Sequence, residues 1–165
     1  MRSMTLCLAS VSLWLLALPP SAVSAHPDPT PSLPPGPIRD RHELMESMRK
    51  QAESIEQVTN AAGDAPDTAV IQRAAQAISM SAARIPNLFP KGSTDPMSRA
   101  LPAIWDDAEK FQQLAKDLQQ QATALSNAAA AGSKSVAEKS RTLSATCKSC
   151  HDQFRRPEKE RADGS

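Results

Sequence analysis

Two cysteines three residues apart, followed at once by a histidine, form the strongest chemical signal in the chain: Cys147-Lys148-Ser149-Cys150-His151. On a helix, residues at i and i+3 leave from the same face, so both thiols can add to the vinyl groups of one porphyrin while the adjoining imidazole reaches its iron. C-x-x-C-H is the attachment pattern of c-type haem, and neutral His151 is the expected proximal axial ligand. Three other chemistries share part of the pattern. A thioredoxin-like C-x-x-C calls for a βαβ context that this sequence lacks. Structural zinc needs a fourth ligand, and a plain disulfide leaves His151 without a role.

The elements that carry these residues are helical. The chain has 165 residues, no Tyr, three Phe and 27 Ala, so strand-forming residues are scarce. The last helix is expected from about Ser133 to Arg155, presenting Val136, Ser140, Leu143, Cys147, Cys150, His151 and Phe154 on one face. Upstream, a first helix is expected from Asp40 to about Ala62, with Asp40 as N-cap, Glu43 at the capping-box position, and Leu44, Met48, Ile55 and Val58 inward. Gly63 to Pro66 ends it. A second helix is expected from Asp67 to about Ile85 with Val70, Ala74, Ala77, Ile78, Ser81 and Ile85 on one face. After a long loop over 87–100, a third opens near Pro102 and reaches about Asn127, its stripe formed by Ile104, Ala108, Phe111, Ala115, Leu118, Ala122 and Leu125. Four helices of this length with short connections predict an all-α, antiparallel four-helix bundle. Much of its apolar content is Ala, so a buried cofactor, a partner subunit or both would complete the interior.

Residues 1–25 read as an export signal: Arg2 is the single charge, Met4 to Leu18 is uncharged and apolar, and Val23-Ser24-Ala25 offers a small-residue cleavage site. The apolar run is too short to span a bilayer and ends at Pro19-Pro20. Cleavage would remove the odd cysteine, Cys7, and leave a soluble periplasmic product. The expected organisation is a signal over 1–25, a proline-rich tether over 26–39, a helical domain over 40–157 and a polar tail over 158–165. The formal charge of +1 gives no basic excess for binding nucleic acid.

A C-x-x-C-H near the C-terminus of a four-helix bundle resembles the class II cytochromes c, the cytochrome c-prime group. The similar stretches are Arg41-His42-Glu43-Leu44-Met45, Leu88-Phe89-Pro90-Lys91-Gly92, Pro102-Ala103-Ile104-Trp105, and Cys147 through Arg155. The resemblance implies one covalently attached haem c between the helices, with the first helix facing the iron from the side opposite His151. At the position matched by Met45 the family carries either an apolar, non-ligating residue in five-coordinate members or a Met ligand in low-spin ones. Met45 is therefore the expected sixth ligand, with Met48, Met80, Met97 and His42 as the other candidates and core packing as the plain role of a methionine. Arg41 and Arg155 match positions near the haem, Arg41 beside a propionate and Arg155 near the proximal His. Trp105 packs on the haem edge with its N–H toward a propionate, or fills the core. Dimerisation through the first two helices is common in the group, and the Ala-rich faces here suit either a homodimer or an approach to the haem.

The implied function is one-electron transfer between periplasmic redox proteins rather than enzymatic turnover. The alternative is a five-coordinate haem that binds nitric oxide or carbon monoxide.

Overall fold

Proline at the first helical position sacrifices no hydrogen bond and supplies a helical φ. In the computed structural model, which describes residues 33–61 and 67–157, Pro37 takes that role. Gly36 before it adopts φ 138°, a conformation that strains any residue with a Cβ. Helix α1 therefore runs Pro37–Asn60 and begins ahead of the expected Asp40. Asp40 is not its N-cap but a first-turn carboxylate at the positive end of the helix dipole. Glu43 closes no capping box with it and instead meets Arg39 at 3.8 Å. The expected signal, most of the expected tether, the Gly63 to Pro66 stop and the polar tail lie outside the described residues.

Helix α2 (Thr68–Ala82) is capped by Asp67, expected only as the helix's first residue; its carboxylate accepts from the N–H groups of Ala69 at 3.1 Å and Val70 at 3.3 Å. Its buried face is Ile71, Ala74, Ala75, Ile78 and Ala82. Val70, Ala77 and Ser81, expected on that face, are half-buried. In so alanine-rich a helix the bulkier Ile71 decides which side turns inward, and the stripe rotates by about one position. Ile85 lies beyond the helix, in a 3₁₀ turn over Ile85–Leu88 that Pro86 favours.

The helix expected from Pro102 to Asn127 is two. Helix α3 (Ala103–Asp106) ends at Asp107, which takes φ −124° and ψ 58°; its side chain accepts from the Lys110 N–H at 3.3 Å and starts α4 (Ala108–Ala130). Ala108, just past this break, is exposed rather than part of the stripe. Gly132, at φ 60°, and Ser133 return their N–H groups to the carbonyls of Ala129 and Ala128, closing α4. Helix α5 (Val136–Phe154) carries the Cys-x-x-Cys-His sequence in its last two turns.

The four long helices form the expected all-α bundle, with α3 as a short addition. α2 packs broadly on α4, α4 on α5, and α1 on α2, whereas α1 and α5 meet only lightly. Ile55, Ile71, Ile78 and Leu125 are fully buried, and Ala75, Ala82, Ala122 and Ala129 between them let the backbones approach closely. The interior is dense beneath α2 and α4 and open between α1 and α5. Among the described residues no helix is long and apolar enough to cross a membrane.

Candidate functional site

The opening between α1 and α5 is a slot in two compartments, a mouth of about 170 Å³ and an inner chamber of about 280 Å³, each partly open to solvent. Met45, Phe111, Cys150, His151 and Arg155 line both, so the compartments share walls. Cys147 lines the inner chamber. The one-turn spacing on α5 thus brings both sulfurs and the adjoining imidazole to one slot. Both cysteines are free thiols. Burial pushes the Cys147 thiol up, and burial together with neighbouring Cys147 pushes Cys150 up to about 11. A redox-active dithiol needs the opposite shift, toward thiolate. Among the described residues no group of three or more His, Cys, Asp or Glu could hold a metal ion. His151 remains exposed to solvent at the slot wall, yet partial desolvation there and the cations of Arg155 and Arg99 hold it below the usual imidazole range, against an upward pull from Asp152. The neutral ring that an axial ligand requires is therefore favoured.

Across the slot, α1 decides which sulfur or nitrogen can face His151. Met45 is half-buried and reaches both compartments; Met48 is 7% exposed and lines the inner chamber alone; His42 is exposed and lines the mouth alone. Met97 stands on the mouth's outer lip at 54% exposure, and Met80, at 61%, lies outside the slot on α2.

Arg41, one turn before Met45, is 5% exposed and lines the mouth. Its Nη atoms donate to the Ser93 carbonyl and, at 3.4 Å, to the Ser93 hydroxyl, and its guanidinium carbon lies 4.8 Å from the centroid of the Phe89 ring. Desolvation lowers its pKa, opposed by Asp95, yet a guanidinium stays charged. Its Nε is buried with no partner. A buried charged donor left unmatched is destabilising and calls for an acceptor. Arg99 and Arg155 also line the mouth, and no carboxylate does among the described lining residues. A porphyrin that brings its own carboxylates fits this chemistry.

The far side of the mouth is the 89–102 loop, tied to the end of α5. Ala100 and Arg155 form an antiparallel bridge; the Leu101 N–H donates to the Phe154 carbonyl at 3.0 Å and the Arg156 N–H to the Arg99 carbonyl at 2.8 Å. Phe111 stacks edge-on against Phe89 at 4.9 Å and Phe154 at 5.3 Å, joining α4, the loop and α5 behind the slot. Trp105 lines neither compartment. Its indole N–H donates to the carbonyls of Phe89 at 3.1 Å and Pro90 at 3.0 Å, so it braces the loop rather than offering that N–H to a propionate.

Cys147, Cys150, His151, Met45, Arg41 and Arg155 therefore converge, and Trp105 stands behind them. Sequence reasoning missed Leu33, Ile38 and Ser93. Leu33 carried one signal: it is the single large apolar residue in the proline-rich stretch over 26–37.

A sequence model described as Cytochrome C' matches residues 36–155, most of the chain. The chain belongs to the cytochrome c' family. Among curated relatives it is 35% identical to cytochrome c-554 of Cereibacter sphaeroides over 123 residues, covering 72% of this chain and 79% of that one. It is 39% identical to cytochrome c' of Rhodopseudomonas palustris over 90 residues, covering 54% and 61%. In another cytochrome c-554 match the aligned stretch spans 55% of the relative's length. The solved cytochrome c' from Rhodopseudomonas palustris superposes with a TM-score of 0.63 at 28% identity, covering 76% of this chain and 100% of that one. Cytochrome c' from Thermochromatium tepidum gives 0.65 at 25%, covering 72% and 94%. Cytochrome c' proteins bind one covalently attached c-type haem, are soluble and often dimeric, and are typically periplasmic.

Proposed function

We propose that this cytochrome c' family member is a one-electron carrier whose haem is held by Cys147 and Cys150, with His151 and Met45 as the two axial ligands. The observation that carries the reading is the shared slot: Met45 from α1 and His151 from α5 both line both of its compartments. When bound, the haem supplies a ferric/ferrous couple. The chain's own residues do the rest. Met45 presents a soft, neutral thioether, which favours the reduced state relative to a second imidazole. Arg41 gives its buried Nε to a carboxylate at the mouth, and its positive charge favours the less positive iron. Phe111 and Phe154, both 5% exposed, close the back of the slot against water. The partners are periplasmic redox proteins, reached after removal of residues 1–25.

A second reading has one observation of its own: a structural neighbour at 26% identity and a TM-score of 0.64 is the nitric oxide complex of an Alcaligenes xylosoxidans cytochrome c prime mutant. Under it, Met45 only packs and the iron keeps an open position for nitric oxide or carbon monoxide. Absorption spectra of the purified protein, oxidised and reduced, separate the two. Low-spin spectra in both states are expected; a high-spin ferric spectrum overturns Met45 ligation in favour of the gas-binding reading.

A further inference from the structure

Leu33 lies upstream of residue 36, where the family match begins, yet it lines the mouth of the slot. We infer that residues 33–35 form a strap ahead of α1 that, together with Ile38, walls the mouth and limits access of small molecules to the iron. Four features hold it there. Leu33 and Ile38 are half-buried and line the mouth from its α1 side. The Leu33 carbonyl accepts from Arg39 Nε at 2.9 Å, so the chain doubles back on the start of α1. Pro34 and Pro35 restrict the intervening backbone, leaving few conformations in which Leu33 could swing away. Gly36, at φ 138°, makes the turn from strap to helix.

The strap closes the mouth with hydrocarbon on a side where Arg41 and His42 would otherwise draw water. Met97, an exposed methionine, lines the same mouth. Leu33 is thus a determinant of access, acting at the entrance without touching iron. The inference rests on the haem occupying the slot of Cys147, Cys150 and His151, and does not depend on Met45 being a ligand.

The test uses the matured holoprotein carrying Met45→Ala, so that no thioether competes for the iron on either reading of Met45, and imidazole as the incoming probe; wild type in this comparison means the wild-type strap in that background. Leu33→Ser removes the apolar wall, Arg39→Ala removes the hydrogen bond that holds the strap back, and Leu33→Ile restores an apolar side chain. Imidazole association with the ferric protein, followed by stopped-flow absorbance, is expected to be about five-fold faster in Leu33→Ser and Arg39→Ala, equivalent to about 1 kcal/mol of barrier. Leu33→Ile should stay within twofold of wild type, and resting spectra should be unchanged in all three. Equal rates in wild type and Leu33→Ser overturn the strap alone, provided that peptide mass mapping finds the haem on the Cys147–Cys150 peptide. Haem mapped elsewhere overturns its placement in the slot, and the strap with it.

Discussion

Truncating Met45 and Met48 one at a time separates ligation from packing, because the structure assigns the two side chains opposite balances. Met48 is 7% exposed and Met45 is half-buried. A fully buried Met→Ala change costs about 2–5 kcal/mol, so Met48→Ala should lose that amount and Met45→Ala about half of it from packing alone. For a domain of this size 1 kcal/mol corresponds to about 4 °C, which places the packing losses near 8–20 °C and 4–10 °C respectively. The spectra should rank the other way. Met45→Ala converts a low-spin ferric spectrum to high-spin and removes the weak near-infrared band of iron–thioether ligation, while Met48→Ala stays low-spin despite its lower Tm. Any loss at Met45 beyond the packing range reports the iron–sulfur bond. The assay is paired, absorption spectra and thermal unfolding on the same holoprotein samples. An unchanged spectrum in Met45→Ala, or conversion in Met48→Ala instead, refutes the assignment.

Further outcomes follow from other features. Replacing both Cys147 and Cys150 with Ser should leave a polypeptide without covalently attached haem, read as a missing haem mass and no haemochromogen spectrum after denaturing extraction. Phe111→Leu keeps an apolar filler but removes both edge-on ring contacts, each worth about 0.5–1.5 kcal/mol, so a loss of about 1–3 kcal/mol is expected in denaturant unfolding; a loss under about 0.5 kcal/mol would show that the rings contribute nothing beyond burial. Asp67→Ala removes the α2 cap and should cost about 1 kcal/mol with no change in the haem spectrum. Arg41→Gln, which deletes a buried cation beside the cofactor slot, should lower the reduction potential in voltammetry; an unchanged potential would place that charge outside the iron's field.

The helical periodicity and the Cys147–His151 spacing made the bundle and the helix that carries the Cys-x-x-Cys-His sequence legible, because both are local patterns read against a fixed helical geometry. Features set by competition between elements were not. The break at Asp107 depends on a single aspartate capping α4 inside an otherwise continuous helical pattern. The inward face of α2 turns on whether Ile71 or Val70 finds the deeper site, which alanine neighbours do not decide. Arg41 was legible as a candidate from the resemblance, but its seat beneath Phe89 and Ser93 exists only once the loop folds back over α1. Trp105 shows the same limit: composition gives an aromatic ring with one donor, and only the fold shows the Phe89 and Pro90 carbonyls taking it. Leu33 was read as part of a solvated tether because proline-rich composition describes a chain alone, without the wall beside it.

The bridge between Ala100 and Arg155 bears on the dynamics of the site as well as its shape. Helices commonly fray in their last turn, and here that turn, which carries His151, is stitched to a segment from the middle of the chain. Under the proposed function, any displacement of His151 on gain or loss of an electron would drag that segment and the Phe111 stack with it. Such a mounting would keep the nuclear rearrangement that accompanies each transfer small, and would favour rapid exchange even with partners of nearly equal potential.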